Sequence, residues 1–239
     1  MSRRVGIVAV SPEGAALCYR QIFRHASQQL DPEDHPVVCL HNLPLARYVR
    51  AVRGGDWVTV GALLRESAEV LASCGAEVCF TPDNAVQHGV HLAEANSPIP
   101  WLNMTELVAK ALEADKRQVV GVVGTSVVTK GSAYQTHLGM LGIKVVAPED
   151  EDADALDELI YGELAFGRVT PEAKRSIVGM IERFKSRGCD AVILGCSEAP
   201  LVVASEESAL PLYDASDILA GCAVRWAMET PGDEAHSEA

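Results

Sequence analysis

The sequence predicts an α/β protein made of two similar lobes, each built on a parallel sheet, with the functional cleft between them. Three observations carry this expectation. Short Val- and Ile-rich runs alternate with amphipathic segments, the pattern of βαβ units. The pattern restarts about half way along the chain, and in each half a later apolar run ends in a polar cluster.

The strands come first. Val5–Val10, Glu77–Thr81, Val119–Val123 and Ala191–Leu194 are nearly continuous apolar runs, as strands covered on both faces of a parallel sheet must be. Val37–Leu40 and Lys144–Ala147 are weaker strand candidates. Between them, helical spacing of apolar residues predicts helices over Glu13–Leu30, Trp57–Ser73, Thr105–Asp115, Gly131–Leu141, Ala153–Phe166 and Pro171–Ser186. Thr170, Pro171 and Glu172 supply an N-cap, a proline for the first turn and an acid for the helix dipole. Gly75 and Gly188 stand where helices should end, each shortly before a strand.

The repeat fixes the architecture. Val5-Gly6-Ile7-Val8 and Val120-Gly121-Val122-Val123 open the two halves about 115 positions apart. Thr81-Pro82-Asp83-Asn84 and Gly195-Cys196-Ser197-Glu198 close later strands about 113 positions apart. An offset so nearly kept implies two lobes related by a pseudo-two-fold axis. Ligands of open α/β sheets bind beyond the carboxyl ends of the strands, so Asp83 and Cys196 should share one cleft. The first lobe is expected over residues 1–100 plus 211–230 and the second over 101–210. A final helix should run from Leu212 to near Glu229, and the acidic tail 231–239 should be disordered.

Composition narrows the function. Hydrophobic residues make up 48% of the 239 positions and charged residues 22%, enough for a sizeable core. A formal charge of −13 with no basic stripe excludes nucleic acid as a partner and disfavours anionic membranes. No apolar stretch approaches the ~18 residues that would span a bilayer, and the run after Arg3-Arg4 stops at Pro12, too short for a signal peptide. Seven irregularly spaced cysteines form neither a disulfide framework nor a zinc motif, so a reducing cytoplasm is the expected compartment. His88 and His91 lack further ligands, so no metal is expected. The segment 121–126, GVVGTS, lacks the third glycine of a dinucleotide fingerprint, so no nicotinamide cofactor is expected.

The segment 195–201, GCSEAPL, resembles the second cysteine motif of the aspartate/glutamate racemase superfamily, usually GCTE-x-x-L. Segments 119–150, 160–172 (IYGELAFGRVTPE), 211–216 (PLYDAS) and 11–22 (SPEGAALCYRQI) are similar to that family too. The resemblance implies a two-lobed, Rossmann-like fold, a homodimer, and cofactor-independent proton transfer at the carbon next to a carboxylate of a small amino or carboxylic acid. In that family two cysteines work from opposite faces, one as thiolate base and one as thiol acid, and a thiolate must be generated by its surroundings. Here the first cysteine of the CNT-x-H pattern is replaced: the chain reads Asp83-Asn84-Ala85-Val86-Gln87-His88. The loop before Pro12 is one residue shorter than usual, and a lysine common in the family is Ala165.

The resemblance makes Cys196 the catalytic candidate, with Asp83 as the acid/base across the cleft. The simpler role for Asp83 is to cap the helix that follows. Asn84 serves either the ligand or its own loop. Ser11, Thr125 and Ser126 occupy strand-to-helix turns suited to anions, or cap the helices there. Ser197 and Glu198 adjoin Cys196, and Glu198 is expected to orient the loop. Lys130 and Arg47 are candidate cations for a substrate carboxylate, unless they are solvated surface charges. The leading expectation is a racemase or epimerase. A one-cysteine decarboxylase of malonate-type acids, or a retired homologue that only binds a small acid, are the alternatives.

Overall fold

The computed structural model describes residues 2–31 and 33–229, so the expectation for the tail at 231–239 lies outside the described residues. The first half runs β1 (Val5–Ala9), α1 (Pro12–Gln29), β2 (Val38–Asn42), α2 (Leu45–Arg53), α3 (Trp57–Ser73), β3 (Val78–Phe80) and α4 (Gln87–Glu94). The second runs α5 (Met104–Ala114), β4 (Val119–Val123), α6 (Ser126–Thr129), α7 (Ser132–Met140), β5 (Lys144–Val146), α8 (Asp150–Gly162), α9 (Pro171–Ser186), β6 (Ala191–Leu194), β7 (Leu212–Asp214) and α10 (Ala215–Met228).

All strand pairs are parallel. One sheet has the order β2-β1-β3 and the other β5-β4-β6-β7. The first strand of each half is thus flanked by the second and third, and β1, β2 and β3 correspond to β4, β5 and β6. The duplication read from the sequence is present in the topology.

Side chains of the central strands divide between two faces with period two. Val5, Ile7 and Ala9 of β1 and Val120 and Val122 of β4 enter one shared core with α1, α5, α7 and α10. Val8 and Val10 face a second cluster with α2 and α3, and Val192 and Leu194 face a third with α8 and α9. The continuous apolar runs follow from this double covering.

Local chemistry sets the helix ends. Ser11 accepts from the Gly14 N–H at the start of α1, Thr170 from Ala173 N–H at the start of α9, and Asp214 from the Ser216 and Asp217 N–H groups at the start of α10. Gly75 and Gly188 follow α3 and α9 with φ of +84°, the left-handed conformation that glycine adopts without a Cβ clash.

Three expectations need correction. Residues 212–214 do not open the last helix: they form β7, paired with β6 through Val192–Leu212, Ile193–Tyr213 and Leu194–Asp214, and Asp214 is the cap that starts α10. The return to the first lobe at 211 therefore fails for this strand, which extends the second sheet, while α10 packs on both α1 and α5. The helix expected to reach Phe166 ends at Gly162, and a 3-10 turn, Leu164–Phe166, takes over before Gly167 at φ +68°. Helices α2 and α4 are additions to the expected elements.

Candidate active site

Four strand ends converge on one cavity of about 50 Å³. Ser11 follows β1, Asp83 to Ala85 follow β3, Thr125 follows β4 and Gly195 to Glu198 follow β6. The matched positions of the repeat, Ser11 with Thr125 and Asp83 with Cys196, all line it. Leu45 of α2 and Ile160, Tyr161 and Ala165 from α8 and the turn after it supply the remaining wall.

Glu198 organises the polar side. It is 3% exposed, and its carboxylate accepts from the Ser11 hydroxyl at 2.5 Å, the Ser197 hydroxyl at 3.1 Å and the Cys196 thiol at 3.2 Å. A carboxylate with three donors replaces the water it lost on burial. The Ser11 oxygen both caps α1 and donates its proton to Glu198, so capping and site chemistry do not compete there. Gly14 makes this approach feasible: a Cβ on it would lie 2.7 Å from the Ser197 Cβ.

The acids and thiol are shifted by their surroundings. Burial, with Glu198 alongside, pushes the Cys196 thiol well up, so the resting sulfur carries its proton. Burial and the nearby Glu198 charge push the Asp83 carboxyl up to about 7. Its Oδ1 also accepts from the Ala85 N–H at 3.0 Å, so Asp83 caps the turn after β3 and faces the cavity at once. Burial and Asp83 raise Tyr161 to about 12, and the nearby Thr125 hydroxyl opposes the rise.

Two buried donors on this wall have no partner. The Tyr134 hydroxyl donates to Asn84 Oδ1 at 2.6 Å, which leaves Asn84 Nδ2 unpaired, and Thr125 Oγ1 is unpaired as well. Buried polar groups are nearly always satisfied, so two unpaired donors in one cavity wall stand out from the rest of the interior.

Three of the candidates stay outside the lining. Arg47 makes a bidentate pair with Glu66 at 3.1 and 2.9 Å, and Lys130 pairs with Asp150 at 2.7 Å, both at the surface. Each cation finds a carboxylate on its own lobe, so neither turns inward. Ser126 gives its N–H and hydroxyl to Asp157. Tyr161, Leu45 and Ile160 were not among the sequence candidates; Tyr161 lies in the 160–172 segment, where only its motif was visible. Among the described residues no group of three His, Cys, Asp or Glu is set to hold a metal, and no helix is long and apolar enough to cross a membrane. All seven cysteines are free.

A two-lobed α/β protein with matched strand ends closing on a buried thiol and carboxylates is the class that fold and site define. The chain belongs to the Asp/Glu/hydantoin racemase family, whose model matches residues 7–223. It is similar to the crystal structure of a putative Asp/Glu racemase from Yersinia pestis, at 25% identity with a TM-score of 0.84, covering 95% of this chain and 100% of that one. An aspartate racemase homologue from Pyrococcus horikoshii OT3 superposes with a TM-score of 0.81 at 23% identity, covering 96% and 100%. A glutamate racemase from Hydrogenobaculum sp. (strain Y04AAS1) is 28% identical over 167 residues, which is 67% of this chain and 62% of that protein.

Proposed function

We propose that this protein is a cofactor-independent isomerase that moves a proton at the carbon alpha to a carboxylate of a small amino or carboxylic acid. The observation that carries the proposal is the presence of Asp83 and Cys196, from matched strand ends of the two lobes, in the lining of one cavity. Asn84 Nδ2 and Thr125 Oγ1 hold the substrate carboxylate and stabilise the enolate-like state. Above pH 7 Asp83 is ionised while Cys196 keeps its proton. Asp83 then takes the Cα proton, and the thiol delivers its own proton to the other face. The protein is left with a protonated Asp83 and a Cys196 thiolate on Glu198's loop, the state from which the mirror-image substrate reacts in reverse.

Exchange of substrate Cα–H with deuterium from solvent tests this. Cys196→Ser should slow turnover to the inverted product by at least ~100-fold, the ordinary contribution of a positioned acid or base. Inversion at the unmodified rate would remove Cys196 from the mechanism. One observation supports a second reading: a thiol held neutral by burial suits a reaction that needs only a proton donor. Decarboxylation of a malonate-type acid is such a reaction, and carbon dioxide release from substituted malonates distinguishes it.

A further inference from the structure

The cavity carries more information about its occupant than the reaction requires. Its hydrogen-bond donors can be counted. The hydrogens of Ser11, Ser197 and Cys196 already go to Glu198. The fully buried side-chain donors left without a partner in the lining are Asn84 Nδ2 and Thr125 Oγ1, enough for the two oxygens of one carboxylate, and the Tyr161 hydroxyl lines the same wall. The carboxyl groups of Asp83 and Glu198 are acceptors, complementary to an ammonium group.

No lysine, arginine or histidine is in the lining. Arg47 and Lys130 are held elsewhere by Glu66 and Asp150. Arg53 rests on the Tyr161 ring, 5.3 Å from its centroid, and is not in the lining either. A second carboxylate would enter a site that holds two carboxyl groups and no cation, and burying an unpaired charge is costly. Apart from the Tyr161 phenol, the rest of the wall is apolar: Leu45, Ala85, Ile160 and Ala165. The space, about 50 Å³, is well below the ~150 Å³ of a cavity that accepts benzene.

We infer that the substrate is a zwitterionic α-amino acid with a short, uncharged side chain, and that aspartate and glutamate are rejected. This rests on the isomerase reading above for turnover, but the selectivity is a property of binding. The carboxylate bonds Asn84 and Thr125, the ammonium turns to Asp83 and Glu198, and a side chain of one to three carbons lies against Leu45, Ile160 and Ala165.

The experiment follows Cα–H exchange in deuterium oxide by proton NMR and binding by calorimetric titration. The panel is both enantiomers of alanine, 2-aminobutyrate, aspartate and glutamate, each with the unmodified protein. Alanine or 2-aminobutyrate should exchange with a kcat/KM at least ~100-fold above either dicarboxylic acid. Ala165→Lys, which places a cation in the partly exposed wall, should raise exchange of aspartate at least ~10-fold and lower that of alanine. Binding of alanine or 2-aminobutyrate without any exchange would sustain the selectivity and sink the isomerase reading. Preference for aspartate or glutamate by the unmodified protein, or no binding of either neutral amino acid, would overturn the inference.

Discussion

Asp83 has two duties that pull its carboxyl in opposite directions: the Ala85 N–H favours the ionised form, and burial beside Glu198 favours the protonated one. Burial wins, and the value of about 7 lies far above the ordinary 3.8. Folding therefore takes up a proton here. The stability this contributes is fully present below about pH 4 and is lost as pH rises through about 7. Asp83→Asn keeps an oxygen for the Ala85 cap and removes the charge. It should stabilise the protein at pH 8 by a few kcal/mol and have little effect at pH 4, read from denaturant unfolding at both pH values. An equal change at both would show that Asp83 does not carry a charge into the folded state at pH 8. The same carboxyl sets the reaction's pH dependence. Under the proposed mechanism Asp83 must be ionised and Cys196 protonated, so kcat/KM should rise through about pH 7 and stay level until the thiol ionises. In Asp83→Asn the rising limb should vanish along with at least ~100-fold of the rate. A wild-type profile flat between pH 5.5 and 8.5 would assign the base role to another group.

At the scale of elements, the contact between α1 and the loop after β6 joins the two halves at the site. Alanine in place of glycine inside a helix ordinarily gains about 0.5–1 kcal/mol. At Gly14 the added methyl would collide with Ser197, so Gly14→Ala should instead cost about 1–3 kcal/mol. It should also cut exchange by more than ~10-fold, because Ser11 and Glu198 move apart; thermal melts with exchange rates check both. A variant more stable than the parent would show that the loop yields without consequence. Elements were legible where length and pattern agreed: β4 and β6 fall at the expected residues, as do α3 and α9. Helix α2 was legible in principle, since Leu45, Tyr48 and Val52 recur at helical spacing, but its arginines and short length masked the stripe. Three-residue β7 was not, because Leu212-Tyr213-Asp214 has no period of its own and owes its conformation to β6. The cavity residues that follow strands were readable from the repeat, whereas Leu45, Ile160 and Tyr161 reach it from helices whose orientation only packing decides. Arg47 and Lys130 misled for a related reason: a sequence shows a cation but not the carboxylate that claims it.

For the whole molecule, the lobes are symmetric in topology but not independent in packing. The central core draws Val5, Ile7 and Phe80 from one sheet and Val120, Val122 and Ile193 from the other, with α1, α5 and α10 between. Neither sheet can lose that layer without exposing the other's inner face. Thermal unfolding should therefore be one transition, with calorimetric and van't Hoff enthalpies equal. Two resolved transitions would show that the halves are separate cooperative units. The route of the chain adds a consequence in time. Helix α10 brings Leu219, Ala220, Ala223 and Val224 to the same layer that Cys18, Ile22 and Ala26 of α1 entered some 200 residues earlier. During synthesis the apolar face of α1 emerges some 200 residues before the helix that covers it. Until residue 228 has left the ribosome, that stripe of the nascent chain has no cover from α10, and uncovered apolar surface of this kind is where aggregation competes with folding.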